Sequence, residues 1–215
     1  MSVFKDFIKI DRASLTGIEF YIPRFKKIDV RITYPHYGPT SVRDTLKSTE
    51  PHEVLIVIGA CGSLTNEISV GDYILSTYVH TSYLKPKLGN REIVTPDENL
   101  LKIAEEVFNS KSIKYHKIPT GTAYAINDED TDLENYTHKI YDKSNIKVIE
   151  CESAEALYYG EKYEIPAMAM FYVSDNPEFK LTNKINVEME RKRKTICRKA
   201  IKELNMLGLE ILKIF

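Results

Sequence analysis

The sequence predicts an α/β protein, a three-layer αβα sandwich around a mixed, largely buried central sheet. Strand-like apolar runs alternate with helix-like amphipathic segments along the chain, as they do in layered α/β folds. Several runs, such as VLIVIGA at residues 54–60, are apolar throughout, which is typical of strands covered on both faces. We find no repeat and no linker-like stretch, so we expect residues 1–215 to form a single domain.

The amino-terminal half predicts a hairpin, a short helix behind a glycine-led turn, and two further strands. Pro23 falls in the predicted hairpin turn, and the Gly71–Asp72 pair marks the turn before the last of these strands. The ranges are 18–22 and 28–34 for the hairpin, 38–48 for the helix, and 54–60 and 71–81 for the strands.

The carboxyl-terminal half predicts three helices and three strands. Leu100, Ala104 and Phe108 recur with helical spacing behind a capping pattern at Thr95. The last segment of the chain has the same periodicity and predicts a long amphipathic helix. The ranges are 95–110, 153–163 and 183–215 for the helices, and 113–119, 146–151 and 167–175 for the strands.

The composition gives no electrostatic reason to expect nucleic acid or a membrane as a partner. The chain is 43% hydrophobic and 28% charged, with a formal net charge of −1. No apolar run approaches the roughly 20 residues that a membrane-spanning helix needs. The 3 cysteines are widely spaced, which predicts reduced thiols and a cytoplasmic protein. The 5 histidines lack ligand spacing and no CxxC occurs, so we expect no metal and no cofactor.

Three strand ends carry residues suited to chemistry: GACGSL at 59–64, ECES at 150–153 and VSDN at 173–176. In α/β folds, ligands collect where strands end and loops begin. The glycines of the first segment let the backbone approach a ligand, although a plain turn would also use them. Asp175 would suit a proton donor in a buried setting, or it would cap a turn.

Glu150 and Glu152 end one apolar strand, two residues apart, where a helix is predicted to begin. Negative charge in a first helical turn compensates the helix dipole, which explains one glutamate more easily than two. A carboxylate also accepts hydrogen bonds from two neighbouring hydroxyls, so a ribose diol is a natural ligand for the other. The sequence leaves both interpretations open.

Taken in chain order, the three strand ends resemble the nucleoside phosphorylase superfamily, which includes purine nucleoside and uridine phosphorylases and related nucleosidases. The stretch VLIVIGACGSLTNEISVGDYIL is similar to the family's segment with the motif G-[ST]-C-G-[AG], and VIECESAEAL to its motif V-E-M-E-[SAC]-A. Cys151 stands where the family usually has methionine. The V-S-D strand that follows agrees as well, and the resemblance extends from about Ile18 to Asn176.

The resemblance implies a role for each matched position. Glu152 would bind the ribose 2′- and 3′-hydroxyls, with Glu150 as a supporting residue. Asp175 would protonate or hydrogen-bond the base as its bond to the sugar breaks, and Tyr124 would stack on the base. The residues that would line the nucleoside are Cys61, Gly62 and Cys151.

The phosphate-binding positions of the family do not match. The N-terminal G-D-P-x-R turn has no counterpart, and an arginine and a hydroxyl of the family are replaced by Val57 and Ala60. A substitute anion site is conceivable at the start of the short helix, where helix amide groups favour anions. Its members would be Thr40, Ser41 and Arg43. Arg43 would equally suit a solvated helix surface.

On this basis we expect an enzyme that cleaves the N-ribosidic bond of a nucleoside. The resemblance favours phosphorolysis to the free base and ribose 1-phosphate, with phosphate as co-substrate and a purine slightly favoured over uridine. Hydrolysis by a nucleosidase is the alternative, because the phosphate-binding arginines are missing. A relative that only binds a nucleoside or nucleotide is a third possibility. The resemblance also implies a homo-oligomer, a dimer or a trimer of dimers.

Overall fold

Nine strands and four helices form the part of the chain that the computed structural model describes. This part comprises residues 8–14, 17–25, 28–33, 38–48, 51–81, 84, 87–123, 145–177 and 187–215, with the backbone alone in the first three ranges. None of its helices is long and apolar enough to cross a membrane.

The amino-terminal strands form a three-stranded antiparallel sheet in the order β1-β2-β3. The strands are β1 (Ile8–Ser14), β2 (Gly17–Phe25) and β3 (Ile28–Thr33). The predicted hairpin is therefore confirmed, but Pro23 lies inside β2 rather than in the turn. Pairing slips by one residue between Ile22 and Phe25, so the residue without a backbone N–H sits in an irregularity of the ladder. β1 went unpredicted because charged residues interrupt its short apolar pattern.

Five of the six remaining strands form a closed ring. The sheet order is β6-β5-β7-β8-β4-β9, and β5 also pairs with β9. Parallel pairs (β4 with β9, β5 with β7, β7 with β8) combine with antiparallel ones (β4 with β8, β5 with β9), so the sheet is mixed as predicted. The strands are β4 (Leu55–Ser63), β5 (Tyr73–His80), β6 (Ile93–Val94), β7 (Tyr115–Thr122), β8 (Val148–Glu150) and β9 (Ala167–Asp175).

Helices cover this sheet from two sides and complete the predicted three-layer sandwich. α2 and α4 pack on the face that presents Met168 and Met170, whereas α1 and α3 pack against each other on the other side. The alternate β9 residues Ala169, Phe171 and Val173 fill the inside of the ring. The helices are α1 (Pro39–Ser48), α2 (Glu98–Ser110), α3 (Ser153–Tyr163) and α4 (Val187–Ile214).

Two local predictions need correction. The cap of α2 is Asp97 and not Thr95, because the Asp97 carboxylate accepts a hydrogen bond from the Leu100 N–H at 2.8 Å. The run at 54–60 was expected to be buried on both faces, yet its residues from Val54 to Gly59 are only half-buried and Ala60 is exposed. The helices on either side cover this part of β4 incompletely.

Candidate active site

The three strand ends singled out in the sequence lie side by side in the sheet. Gly62 on β4 pairs with Asp175 on β9 and with Ile149 on β8, so all three strands meet at one level. Because β8 is antiparallel to β4, the chain at Glu150 returns towards Cys61. The sheet topology therefore joins GACGSL, ECES and VSDN into one site.

Asp175 is enclosed by small polar groups. A Cβ atom on residue 62 would lie 3.1 Å from its Oδ1, so the glycine allows this approach of β4 and the carboxylate. The Ser174 hydroxyl lies 2.8 Å from Asp175 Oδ2 and 3.2 Å from the Cys61 carbonyl oxygen. Arg193 on α4 donates to the Ser174 carbonyl at 3.2 Å, which ties the end of β9 to the last helix.

Glu150 is buried at the start of α3 and accepts four hydrogen bonds. Its Oε2 accepts from the N–H groups of Glu152 and Ser153, each at 2.7 Å. Its Oε1 accepts from the Ser153 hydroxyl at 2.7 Å and from the Thr122 hydroxyl on β7. Burial raises the pKa of Glu150 to about 7, against the opposing effect of these hydrogen bonds. Glu150 thus satisfies the first amide groups of α3.

Glu152 has a different environment. It occupies the N-cap position of α3 but its side chain makes no capping bond. Its carboxylate accepts instead from the Cys151 N–H at 3.2 Å and, at the longer distance of 3.4 Å, from the N–H of Gly38 just before α1. Burial raises the pKa of this half-buried carboxyl group, and the two N–H groups act against the rise. Capping of α3 is therefore accounted for by Glu150, which leaves Glu152 available for a ligand.

Both cysteines of the site are buried. Cys61 and Cys151 are 2% and 3% exposed. Burial, with the nearby carboxylates of Glu150 and Asp175, raises the pKa of Cys61. Burial raises the pKa of Cys151 to about 12. A thiolate nucleophile or metal ligand is thus disfavoured at either position, which agrees with lining roles.

The predicted anion-binding residues lie on the first turns of α1. Thr40 is exposed and Ser41 is half-buried. Arg43 directs its Nε towards Asp44 Oδ1 at 3.7 Å, so part of its positive charge is offset by a neighbour. The N–H of Gly38, ahead of the helix, faces the Glu152 carboxylate. The start of α1 therefore adjoins a negative side chain of the site.

Other outcomes concern residues beyond this cluster. Tyr124, predicted to stack on the base, lies outside the described residues. Arg193 belongs to the basic run ERKRKTICRK at residues 190–199, whose place on an amphipathic helix predicts a solvated face. Most of that run is exposed, but Arg193 donates a hydrogen bond to the Ser174 carbonyl. Its position could not be read from helical spacing, because the contact joins residues 19 apart on different elements. The described part of the chain contains no group of His, Cys, Asp and Glu placed to hold a metal ion.

Glu152, Asp175 and the glycine-containing end of β4 come together where strands of a mixed α/β sheet end, which is the place where α/β proteins usually bind small molecules. Within the α/β class the chain belongs to the phosphorylase superfamily, whose family model matches residues 14–213. The resemblance seen in the sequence motifs is confirmed.

Individual relatives are nucleosidases. AMP nucleosidase of Escherichia coli K12 is 25% identical over 167 residues, which cover 69% of this chain and 34% of the relative, so the chain spans about a third of that protein's length. The solved Campylobacter jejuni 5′-methylthioadenosine/S-adenosyl homocysteine nucleosidase superposes with a TM-score of 0.77 at 18% identity, over 98% of this chain and 91% of the other. Futalosine hydrolase of Helicobacter pylori gives a TM-score of 0.74 at 12% identity, over 98% and 90%. These structures confirm the predicted fold.

Proposed function

We propose that the protein is a nucleosidase that hydrolyses the N-ribosidic bond of a purine nucleoside. The observation that carries this choice over phosphorolysis is the lack of cationic groups at the candidate phosphate positions, where Val57 and Ala60 stand and Arg43 faces Asp44. The relatives named above are hydrolases as well, so the comparisons favour the hydrolytic alternative over the phosphorolysis expected first.

The physical reason is charge. A phosphate dianion loses much of its hydration in a half-buried site and needs cationic partners in return. Here the arginine of the candidate anion site, Arg43, is shared with Asp44. Two positions that bind phosphate in the family hold Val57 and Ala60, which carry no charge or hydroxyl. A neutral water nucleophile needs no such cationic partner.

In the proposed reaction a water oxygen bonds to C1′ while the C1′–N bond breaks. The electron pair of that bond passes to the purine, which takes a proton from Asp175. The attacking water loses one proton to solvent, and Asp175 regains one from solvent. The sum is nucleoside plus water to free purine plus ribose. Glu152 accepts hydrogen bonds from the ribose hydroxyls and holds the electron-poor sugar as the bond breaks.

We propose an adenine nucleoside as the substrate class. AMP and 5′-methylthioadenosine, named for the relatives, both carry adenine on ribose and differ in their 5′-substituent. A chromatographic assay of adenosine, 5′-methylthioadenosine, AMP, inosine and uridine, with and without phosphate, tests both points. From the adenine substrates we expect adenine and the free sugar at the same rate in both buffers: ribose from adenosine, 5-methylthioribose from 5′-methylthioadenosine and ribose 5-phosphate from AMP. Turnover that requires phosphate and yields ribose 1-phosphate would contradict the proposal, and so would binding without turnover.

The substitution Asp175→Asn tests the proposed role of Asp175 as proton donor to the purine. We expect kcat to fall by about 100-fold or more, because a general acid contributes roughly 10² to 10⁴ in rate, with nucleoside binding little changed. A variant of the Helicobacter pylori nucleosidase in which asparagine replaces an aspartate has been solved with 5′-methylthioadenosine in the active site. Asp72→Asn, which removes a carboxylate from the turn before β5, is the matched control. An Asp175→Asn variant with the parent's kcat would remove Asp175 from the mechanism.

A further inference from the structure

The buried carboxylate of Glu150, at the end of β8, connects β7 with the start of α3. Its side chain is 2% exposed. The four hydrogen bonds come from the end of β7, through Thr122, and from the first residues of α3, through Glu152 and Ser153. One of the donors is the main-chain N–H of Glu152, the residue proposed to bind ribose. The backbone that carries the sugar-binding carboxylate is therefore held by Glu150.

We propose that Glu150 is a positioning residue for ribose recognition: it fixes the Glu152 main chain so that the Glu152 carboxylate meets both ribose hydroxyls. This inference rests on the proposed function. Glu150 itself contacts no reacting atom in this assignment. It acts through the hydrogen bond from the Glu152 N–H at 2.7 Å and through the turn that Ser153 completes.

The donor set explains why residue 150 needs two acceptor oxygens. Two donors are backbone N–H groups, which cannot accept a hydrogen bond, and both act on Oε2. An amide offers a single acceptor oxygen, which can still serve the two N–H groups, and its NH₂ group then faces the hydroxyls of Thr122 and Ser153, which cannot donate to it. These hydroxyls lose the acceptor that ties β7 to the start of α3, so the hold on the first turn of the helix weakens.

Thr122 extends the same network towards the next strand. Its hydroxyl donates to Glu150 Oε1 and also lies 3.3 Å from the Ala154 N–H, which donates to it. The Ala123 N–H donates to the Glu150 carbonyl at 2.8 Å. Hydrogen bonds to both the side chain and the main chain of Glu150 thus hold β7 against the start of α3. Removal of the Thr122 hydroxyl weakens this connection without removing the carboxylate.

Binding of two uncleavable probes tests the proposal independently of turnover. The probes are 9-deazaadenosine and its 2′-deoxy form, whose carbon–carbon glycosidic bonds cannot be hydrolysed, measured by isothermal titration calorimetry. We expect the parent to prefer the ribose form. In Glu150→Gln we expect that preference to fall by about tenfold or more, the size of one lost charge-assisted hydrogen bond, with affinity for the 2′-deoxy form changed much less.

Glu155→Gln is the matched control, because Glu155 on α3 is also a buried glutamate and its carboxylate pairs with Lys87 at 3.5 Å. It should keep the parent's preference. A folded Glu150→Gln variant with that preference unchanged would overturn the inference and leave the nucleosidase proposal standing. A parent that binds neither probe would overturn both.

Thr122→Val and Ser153→Ala keep the test decisive if Glu150→Gln does not fold. Each removes one hydroxyl donor to Glu150 Oε1 and leaves the carboxylate in place. We expect each to lower the ribose preference by a smaller factor and the double variant to lower it further. An unchanged ribose preference in the folded double variant would count against the assignment, because hydrogen bonds that can both be removed without effect do not position Glu152.

Discussion

At the elbow between β8 and α3, two glutamates two residues apart meet different surroundings. Glu150 is enclosed by four donors, whereas Glu152 is half-buried and accepts two longer hydrogen bonds from backbone groups. A carboxylate has about four lone-pair directions, so Glu150 is saturated and Glu152 retains acceptor capacity. The division of roles implied by the sequence resemblance thus has a physical basis in the number of donors around each carboxylate.

Substitution of Glu152 by glutamine should impair ribose recognition selectively. An amide loses charge-assisted acceptance of the two hydroxyls, each worth about 1.5–3 kcal/mol. We expect the ratio of kcat/KM for adenosine to that for 2′-deoxyadenosine to fall by roughly tenfold or more. Glu161→Gln, on the exposed side of the same helix, is the control. A Glu152→Gln variant with the parent's ratio would rule out the proposed sugar contact.

Glu150 should also give the protein a pH-dependent stability. Its pKa rises from 4.5 to about 7 on folding, so the folded state binds the proton more tightly than the unfolded chain. The stabilisation from this group is therefore fully present below pH 4.5, declines as the pH rises, and is lost above about 7. The decline should amount to about 3 kcal/mol.

Urea unfolding of the parent and Glu150→Gln at several pH values between 4.5 and 8 measures this effect. The free energy of unfolding of the parent, minus that of the variant, should fall as the pH rises, because contributions from the other groups largely cancel in the difference. A difference that stays constant, or that grows with pH, would contradict the raised pKa of Glu150.

Among the elements, α2 shows that a sequence pattern can predict a helix correctly and still indicate the wrong capping residue. The sequence pattern indicated Thr95 as the cap, because Glu98 follows it by three residues. The structure uses Asp97, whose Oδ1 lies 2.8 Å from the Leu100 nitrogen, and leaves Thr95 exposed. Which of them caps depends on where the chain leaves β6, and that is decided by tertiary pairing.

Asp97→Ala should lower the free energy of unfolding by about 1 kcal/mol, since the Leu100 N–H loses its acceptor at the start of α2. Thr95→Ala, two residues earlier on the surface, should change it by less than about 0.5 kcal/mol. Thermal or urea unfolding followed by circular dichroism distinguishes the two variants. Equal losses, or a larger loss for Thr95→Ala, would show that the cap assignment is wrong.

For the whole molecule, the fold class followed from local patterns and the site geometry did not. Apolar runs such as 167–173 and the helical spacing around Leu100 were sufficient for strands, helices and layers. The pairing of β5 with β9, the approach of Gly38 to Glu152 and the contact of Arg193 with Ser174 join distant segments. Such contacts depend on how strands twist and close, and no residue spacing encodes them.

The sequence also predicts a single domain, and one core residue allows a test. Leu204 on α4 is fully buried among residues of α2, β5 and β9, so it links the last helix to the central sheet. Leu204→Ala should lower the free energy of unfolding by about 2–5 kcal/mol, the usual cost of a cavity in a packed core. Lys202→Ala, exposed in the same turn, should change it by less than about 0.5 kcal/mol.

If the chain unfolds as one unit, the destabilisation caused by Leu204→Ala must shift the unfolding transition equally for every spectroscopic probe. The protein has no tryptophan, so tyrosine fluorescence reports tertiary packing, including Tyr73 and Tyr115 next to this core, and far-ultraviolet circular dichroism reports the helices. Both transitions should coincide in the parent and move together in Leu204→Ala. Separate transitions, with only one displaced by the substitution, would mean that part of the chain folds independently of the sheet that α4 covers.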